Sequence, residues 1–279
     1  MIKIKFILIF LFFYLFSFLG VRAQDSQNFR LRINNLFWKG VATDTEAEIE
    51  FGRNVAAKML GKYELYKNEA ATDYVSKIGV GITSVVGRTE IQYYFGVLDT
   101  DDINAFATTG GYIFITRGAL KKMNNEAELV AVLAHEISHD IKRHVIERLK
   151  LKSKDRSVTA GVAKILGAGS LAAQIALERL NGFAFKLLIE EGLSKENEYE
   201  ADSKAIAIMI TLNYPPKYYI DYLKKIQPVV ESNNSILSKT HPSIINRINN
   251  IDEFIKNNNI EASEGEININ RFRGFFENF

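Results

Sequence analysis

The chain has 279 residues, 47% of them hydrophobic, enough to bury one sizeable core. It has no cysteine, which removes disulfides, thiolate ligands, a cysteine nucleophile and lipoprotein-type acylation, so any metal must be held by His, Asp or Glu. The formal charge is +2; taking Lys3, Lys5 and Arg22 of the leader from the 35 basic residues leaves 32 against 33 acidic ones, a balance that gives no reason to expect a nucleic-acid partner.

Residues 1–23 read as a targeting segment. Lys3 and Lys5 precede an apolar run from Phe6 to Leu19, and Val21-Arg22-Ala23 is a small-x-small cleavage site. A cleaved signal peptide is expected, with an uncleaved anchor as the alternative, and either one exports the remainder. Residues 24–44 read as a lead-in, with Phe37-Trp38 available to dock on the body. The domain proper is expected over 45–256, followed by a polar tail over 257–279.

Thr45-Glu46-Ala47-Glu48 is a capping-box pattern, opening a helix with the apolar face Phe51, Val55, Met59 and Leu60 and closed by Gly61. A second helix is predicted from about Glu69 to Val86, striped by Val75, Ile78, Ile82 and Val85 and stopped by Gly87. Ile91–Leu98 reads as a strand, Asn104–Ala107 as a short strand, and Tyr112–Thr116 as a stronger one after the Gly110-Gly111 turn, with Gly118 as a breaker. The next helix runs from about Glu126 to Lys150. From Ser157 to Leu188 the chain is apolar and helix-prone, but Lys164, Gln174 and its glycines argue against a membrane span; a buried helix or a mobile segment over the cleft is expected. Helices follow over Glu196–Leu212, after Pro215-Pro216, and after His241-Pro242, the last striped by Ile244, Ile245, Ile248, Ile251 and Phe254. The composite is an α+β fold, mainly helical and zincin-like, with a small sheet beside the active-site helix.

His135-Glu136-Ile137-Ser138-His139 reads H-E-x-x-H. Two histidines four apart on a helix lie roughly 40° apart around its axis and one turn apart along it, so both imidazoles can reach one ion. Glu136 is placed to take a proton from a metal-activated water. Glu198-Tyr199-Glu200-Ala201-Asp202 supplies a carboxylate, Glu198, that can complete a His-His-Glu set, and an Asp one turn on that can fix a histidine tautomer. The alternative is a solvated acidic face. Glu200 is the rival ligand, but only Glu198 shares a face with Asp202. His144 on a continuous helix would face away from His135 and so reads as structural. His241 is either a helix-entry histidine or a side chain over the metal, and residue chemistry leaves both open.

The chain resembles the HtpX–BepA group of gluzincin metallopeptidases, relatives of the CAAX prenyl proteases and the mitochondrial Oma protease. The resemblance rests on Gly52-Arg53 through Leu60-Gly61-Lys62-Tyr63, Asn104-Ala105-Phe106 with Gly110-Gly111-Tyr112-Ile113, and Asn125 to Leu129. It continues through Ala134 to His139, Arg143-His144, Glu198 to Asp202, and Thr240-His241-Pro242 with Arg247-Ile248. It implies one Zn2+ per chain on His135, His139 and Glu198, Glu136 as base, His241 near the metal to gate or assist, and Arg247, the matching arginine of the last motif, supporting the site along with Asp202. It also implies a catalytic domain without helical repeats after Phe279, with Thr109 where a proline is usual. A polypeptide substrate is expected to add as a strand along an edge formed by Gly111 to Thr116, with contacts from Asn104, Gly110, Gly111, Tyr112, Ile113 and Phe114. The function expected is zinc-dependent endoproteolysis of misfolded periplasmic or membrane-associated envelope proteins, with possible peripheral membrane association. The alternative is a zinc-dependent chaperone or adaptor that binds such clients and hardly cleaves.

Overall fold

The computed structural model describes residues 45–152, 171–232, 235–260, 265 and 267–276. The expected targeting segment and lead-in, and positions 157–170 of the helix-prone stretch, lie outside them. Residues Thr45–Phe279 make one compact unit.

Helix α1 covers 45–62 and runs through Gly61, which the sequence predicts as its stop. Phe51, Val55 and Met59 are buried along it, while Leu60 is exposed. Helix α2 is Glu69–Val86, the predicted span, with the Asn68 side chain accepting from the Ala71 amide. Its buried face is Ala71, Tyr74, Val75, Gly79 and Ile82, rotated from the predicted stripe so that Val85 is exposed. The rotation follows from close packing: a Cβ on Gly79 would sit 2.3 Å from the Phe95 ring.

Three strands follow, β1 Tyr94–Leu98, β2 Ala105–Ala107 and β3 Tyr112–Thr116. The order is β1-β3-β2, parallel between β1 and β3 and antiparallel between β2 and β3. The expected substrate edge at Gly111 to Thr116 is therefore corrected: β3 is the central strand, and its backbone groups are taken on both sides. The edge beside the helix that carries His135 and His139 is β2. Glycine serves the turn before β3 structurally. Gly110 and Gly111 have φ of 75° and 90°, and a Cβ would lie 2.8 Å from Ile49 Cα or 2.6 Å from Gln92 O. Gly118 does not break the chain but lies inside α3, Arg117–Lys121.

Helix α4, Glu126–Ile141, is capped by Asn125, whose side chain accepts from the Glu128 amide. It ends short of the predicted Lys150. Arg143 takes φ 58°, the chain turns, and α5 starts afresh at His144–Lys152. Helix α6, Leu171–Lys186, leads into one π turn, Leu187–Glu191. Leu171, Ile175 and Phe183 are exposed on α6, so it is not the buried helix expected. No helix among the described residues is long and apolar enough to cross a membrane.

Helix α7, Lys195–Thr211, packs along α4, and α8, Lys217–Ser232, also packs on α4 despite Pro228 within it. The short α9, Ile236–Thr240, and α10, Ile244–Asn257, close the cleft side. The polar tail expected over 257–279 is corrected by α11, Ile269–Phe276, which buries Phe272 in the main core and stacks Phe275 on Tyr74 at 4.3 Å. Three phenylalanines in eight residues supply the apolar face that the preceding polar run obscures.

Candidate metal centre

Helix α4 carries His135, Glu136 and His139; α7 carries Glu198 and Asp202, one turn apart on the face toward α4. All five are buried. His135 Nε2 and His139 Nε2 stand 3.1 Å apart, and each lies 3.6 Å from a Glu198 oxygen. Four ligands at zinc–ligand distances of about 2.0–2.1 Å in a tetrahedron sit ~3.3 Å from one another, so this triangle has the size the ion requires. Glu198 Oε2 is buried and has no hydrogen-bond partner among the described residues. A buried carboxylate oxygen without a donor is costly, and a cation removes that cost. The donor set therefore fits zinc, and the predicted His135, His139 and Glu198 come together.

Each ligand histidine has its other nitrogen engaged. His135 Nδ1 is 2.9 Å from Asp202 Oδ1. Asp202 is gripped by Arg247, Nε to Oδ2 at 3.0 Å and Nη2 to Oδ1 at 2.6 Å, and receives Tyr219 Oη at 2.7 Å. His139 Nδ1 is 2.8 Å from His144 Nδ1, whose Nε2 lies 3.2 Å from Glu200 Oε2. With the His144 proton on Nε2 toward Glu200, Nδ1 accepts from His139. Both ligand rings then direct an Nε2 lone pair at one point.

This corrects the placement of His144. The break at Arg143 folds it back beneath His139, so it supports a ligand ring rather than facing away. Glu200, the rival ligand, is occupied by His144 and Lys142. Tyr219 was not singled out from the sequence, because the Tyr218-Tyr219-Ile220-Asp221-Tyr222 run reads as an ordinary amphipathic helix stripe.

Burial lifts the Glu136 carboxyl to about 7. Burial would also raise Glu198, but the imidazoles of His241, His139 and His135 outweigh it and hold Glu198 at about 2. Burial and Arg247 work against protonating His135, yet Asp202 and Glu198 raise it to about 9; the proton they attract competes for the same place as a cation. Burial keeps His241 low, at about 4, hence neutral.

His241 reaches the centre from the end of α9. Its Nε2 lies 3.4 Å from Glu198 Oε2 and its Nδ1 2.9 Å from Thr240 Oγ1. It also groups with His135 and Glu136 as a second possible ligand set. The loop bearing it meets the segment after the π turn so closely that a Cβ on Gly192, at φ 73°, would lie 1.9 Å from Thr240 O. Leu187, Leu188, Gly192 and Leu193 line a hollow over the metal position with Ala105–Ala107 of β2.

Of the residues expected to touch substrate, Asn104 lines the same hollow as Glu136, with its Nδ2 buried and without a partner among the described residues. Gly110, Gly111, Tyr112, Ile113 and Phe114 line neither hollow at the centre. Gly111 donates its amide to Asp140 Oδ1 at 3.2 Å, tying the turn to α4. Thr109, at the usual proline position, donates Oγ1 to Glu48 Oε1 at 2.6 Å.

The profile of peptidase family M48 matches residues 69–255. The chain is 25% identical over 207 residues to the β-barrel assembly-enhancing protease of Escherichia coli, covering 70% of this chain and 41% of that protein. It is 29% identical over 233 residues to the mitochondrial metalloendopeptidase OMA1 of Schizosaccharomyces pombe, covering 81% and 64%. A protease HtpX homolog of Fusobacterium nucleatum is 26% identical over 183 residues, covering 60% and 57%. The chain thus spans about two fifths of the length of the β-barrel assembly-enhancing proteases it matches.

Proposed function

The chain belongs to peptidase family M48, and from that premise we propose that it is a zinc-dependent endopeptidase acting on misfolded proteins of the cell envelope. The observation that carries the proposal is the triangle of His135, His139 and Glu198, with an unpartnered carboxylate oxygen at one corner and Glu136 alongside. His135, His139 and Glu198 would hold the ion. Bound there, zinc would bring the pKa of a water to about 7 and polarise a peptide carbonyl.

The chain's own groups do the rest. Glu136, poised near 7 by burial, takes the water's proton and returns a proton to the leaving amine. Asp202, held by Arg247 and Tyr219, keeps His135 in the Nδ1–H tautomer, and His144 does the same for His139. Asn104 Nδ2 is a spare donor for a substrate carbonyl. β2 offers the edge on which a peptide adds. His241, with Nε2 3.4 Å from Glu198 Oε2, stands beside the residues that would hold the ion, where it gates entry or assists the developing oxyanion. The exported location is inferred from the leader pattern at residues 1–23, and the envelope role from similarity to a protease named for β-barrel assembly.

The decisive experiment compares zinc content and casein cleavage in wild type, Glu136→Gln and His135→Ala. The first variant should keep zinc and lose cleavage, and the second should lose both. An active Glu136→Gln enzyme ends the mechanism. Client binding that survives Glu136→Gln, with no turnover in the wild type, would point instead to a chaperone. His241→Ala should raise basal cleavage if the side chain gates and lower it if it assists.

A further inference from the structure

Glu48, the last residue of the capping-box pattern, does more than open α1. It is buried, and its carboxylate takes donors from three other segments. Arg88, just after α2, places Nη1 2.6 Å from Oε1 and Nη2 3.2 Å from Oε2. Thr109, ahead of the turn into β3, donates Oγ1 to Oε1 at 2.6 Å. Arg143, just past the end of α4, places Nη2 2.8 Å from Oε2. The first two contacts hold Glu48 still. The third connects it to the metal centre.

Arg143 has φ 58°, where a Cβ crowds the following carbonyl oxygen. A residue with a long side chain stays there only when its surroundings hold it. On a continued helix His144 would lie roughly 140° around the axis from His139. The turn at Arg143 instead folds it back, fully buried, with Nδ1 2.8 Å from His139 Nδ1 and Nε2 3.2 Å from Glu200 Oε2. The seat of the His144 ring is thus set one residue earlier, by the backbone angle at Arg143. Arg143 Nε is buried without a partner among the described residues, so the guanidinium is anchored at its Glu48 end.

Resting on the zinc-peptidase reading of the centre, we propose that Glu48 and Arg143 are positioning residues for the metal. Their ion pair holds the left-handed turn that seats His144 under His139, and so sets how tightly the ion is held. Neither belongs to the triangle that would ligate it. A carboxylate that only tied four segments together would change stability and leave zinc affinity alone.

The test is the zinc affinity of the purified full chain, measured by competition with a fluorescent chelator beside thermal melts of the metal-free protein. Arg143→Ala removes the clamp but keeps a Cβ at the left-handed angle, and zinc should bind about 10-fold more weakly. Arg143→Gly removes the same side chain but favours the turn, and affinity should stay within about twofold of wild type. Glu48→Gln should weaken zinc by about 10-fold in the wild-type background and leave it unchanged in Arg143→Gly. Alanine and glycine variants of equal affinity, both weak or both tight, overturn the clamp. A Glu48→Gln loss that persists in the Arg143→Gly background overturns it too. Should Glu48→Gln not fold, the comparison of the two Arg143 variants alone decides. A wild-type chain that binds no zinc overturns the metal centre itself and the clamp with it.

Discussion

The two ends of α4 each bury a carboxylate, and they treat it in opposite ways. At the first turn, Glu126 is fully buried, and every donor around it is turned inward. Tyr214 Oη donates to it at 2.6 Å, Asn268 Nδ2 at 2.9 Å and Arg271 Nε at 2.7 Å, with Tyr74 Oη completing the set. Burial alone would raise its pKa, but Arg271, Tyr214 and Tyr74 hold it below the ordinary value. Three turns on, Glu136 is lifted to about 7 by burial, and Glu198 keeps an oxygen with no donor among the described residues. A carboxylate that holds a fold together is satisfied from within. One that works on an outside group is left incomplete, and the fold bears the strain.

That contrast can be broken at either end. The largest effect is expected from His135→Ala, which removes a ligand and should abolish stoichiometric zinc and proteolysis, read by metal analysis and casein digestion. Glu136→Gln should lower kcat by about 10²–10⁴-fold, the usual share of a general base, with zinc content and Tm unchanged. Glu126→Ala should do the reverse. Kinetics at 25 °C should hold, while stability falls by roughly 3 kcal/mol as the buried Tyr74 hydroxyl and the half-buried Tyr214 hydroxyl lose their acceptor, measured by urea unfolding. Equal loss of activity in both glutamate variants would erase the distinction between the two ends.

Tyr219→Phe should weaken zinc binding by about 10-fold, because Asp202 loses one of the donors that orient it toward His135. Competition with a fluorescent chelator would measure it, and unchanged affinity would reduce Tyr219 to packing. The smallest effect is a pair of opposing pH slopes in the metal-free protein. Glu126 is lowered in the fold, so its contribution is present above the ordinary carboxylate pKa of about 4.3 and is lost as pH falls below it. Glu136 is raised, so stability is lost as pH climbs from about 4.3 through its folded value of about 7. Glu136→Gln should flatten only the second slope and Glu126→Gln only the first, followed by thermal melts across pH.

The candidate metal-holding residues were legible because their chemistry is local. His135 and His139 share one helix, Glu198 and Asp202 another, and helical spacing alone puts each pair on one face. The bounds of α2 were legible for the same reason, with Gly87 as its stop; the Asn68 cap emerges only in the structure. Strand order was not. The short β2 pairs through a turn rather than by pattern, and nothing in Tyr112–Thr116 announces that β1 will take its other side. The stop after Ile141 was hidden because Arg143 takes a left-handed φ that glycine or asparagine usually signals. The docked C-terminal helix was hidden behind polar residues, and the Arg271–Glu126 pair joins positions 145 apart. Tyr219 acts through Asp202 and has no motif of its own.

From Glu126 to Asp140, every residue of α4 is buried. An enzyme normally has a solvent face on each helix where substitutions accumulate harmlessly and new preferences are tried. This helix has none, since any change there meets α2, the sheet, α7, α8 or the candidate metal centre. Inherited variation in substrate choice must then enter through the neighbours, the π turn and the inner face of α8. A saturation-mutagenesis survey should find α4 almost barren of tolerated changes and altered cleavage profiles clustered on those two segments.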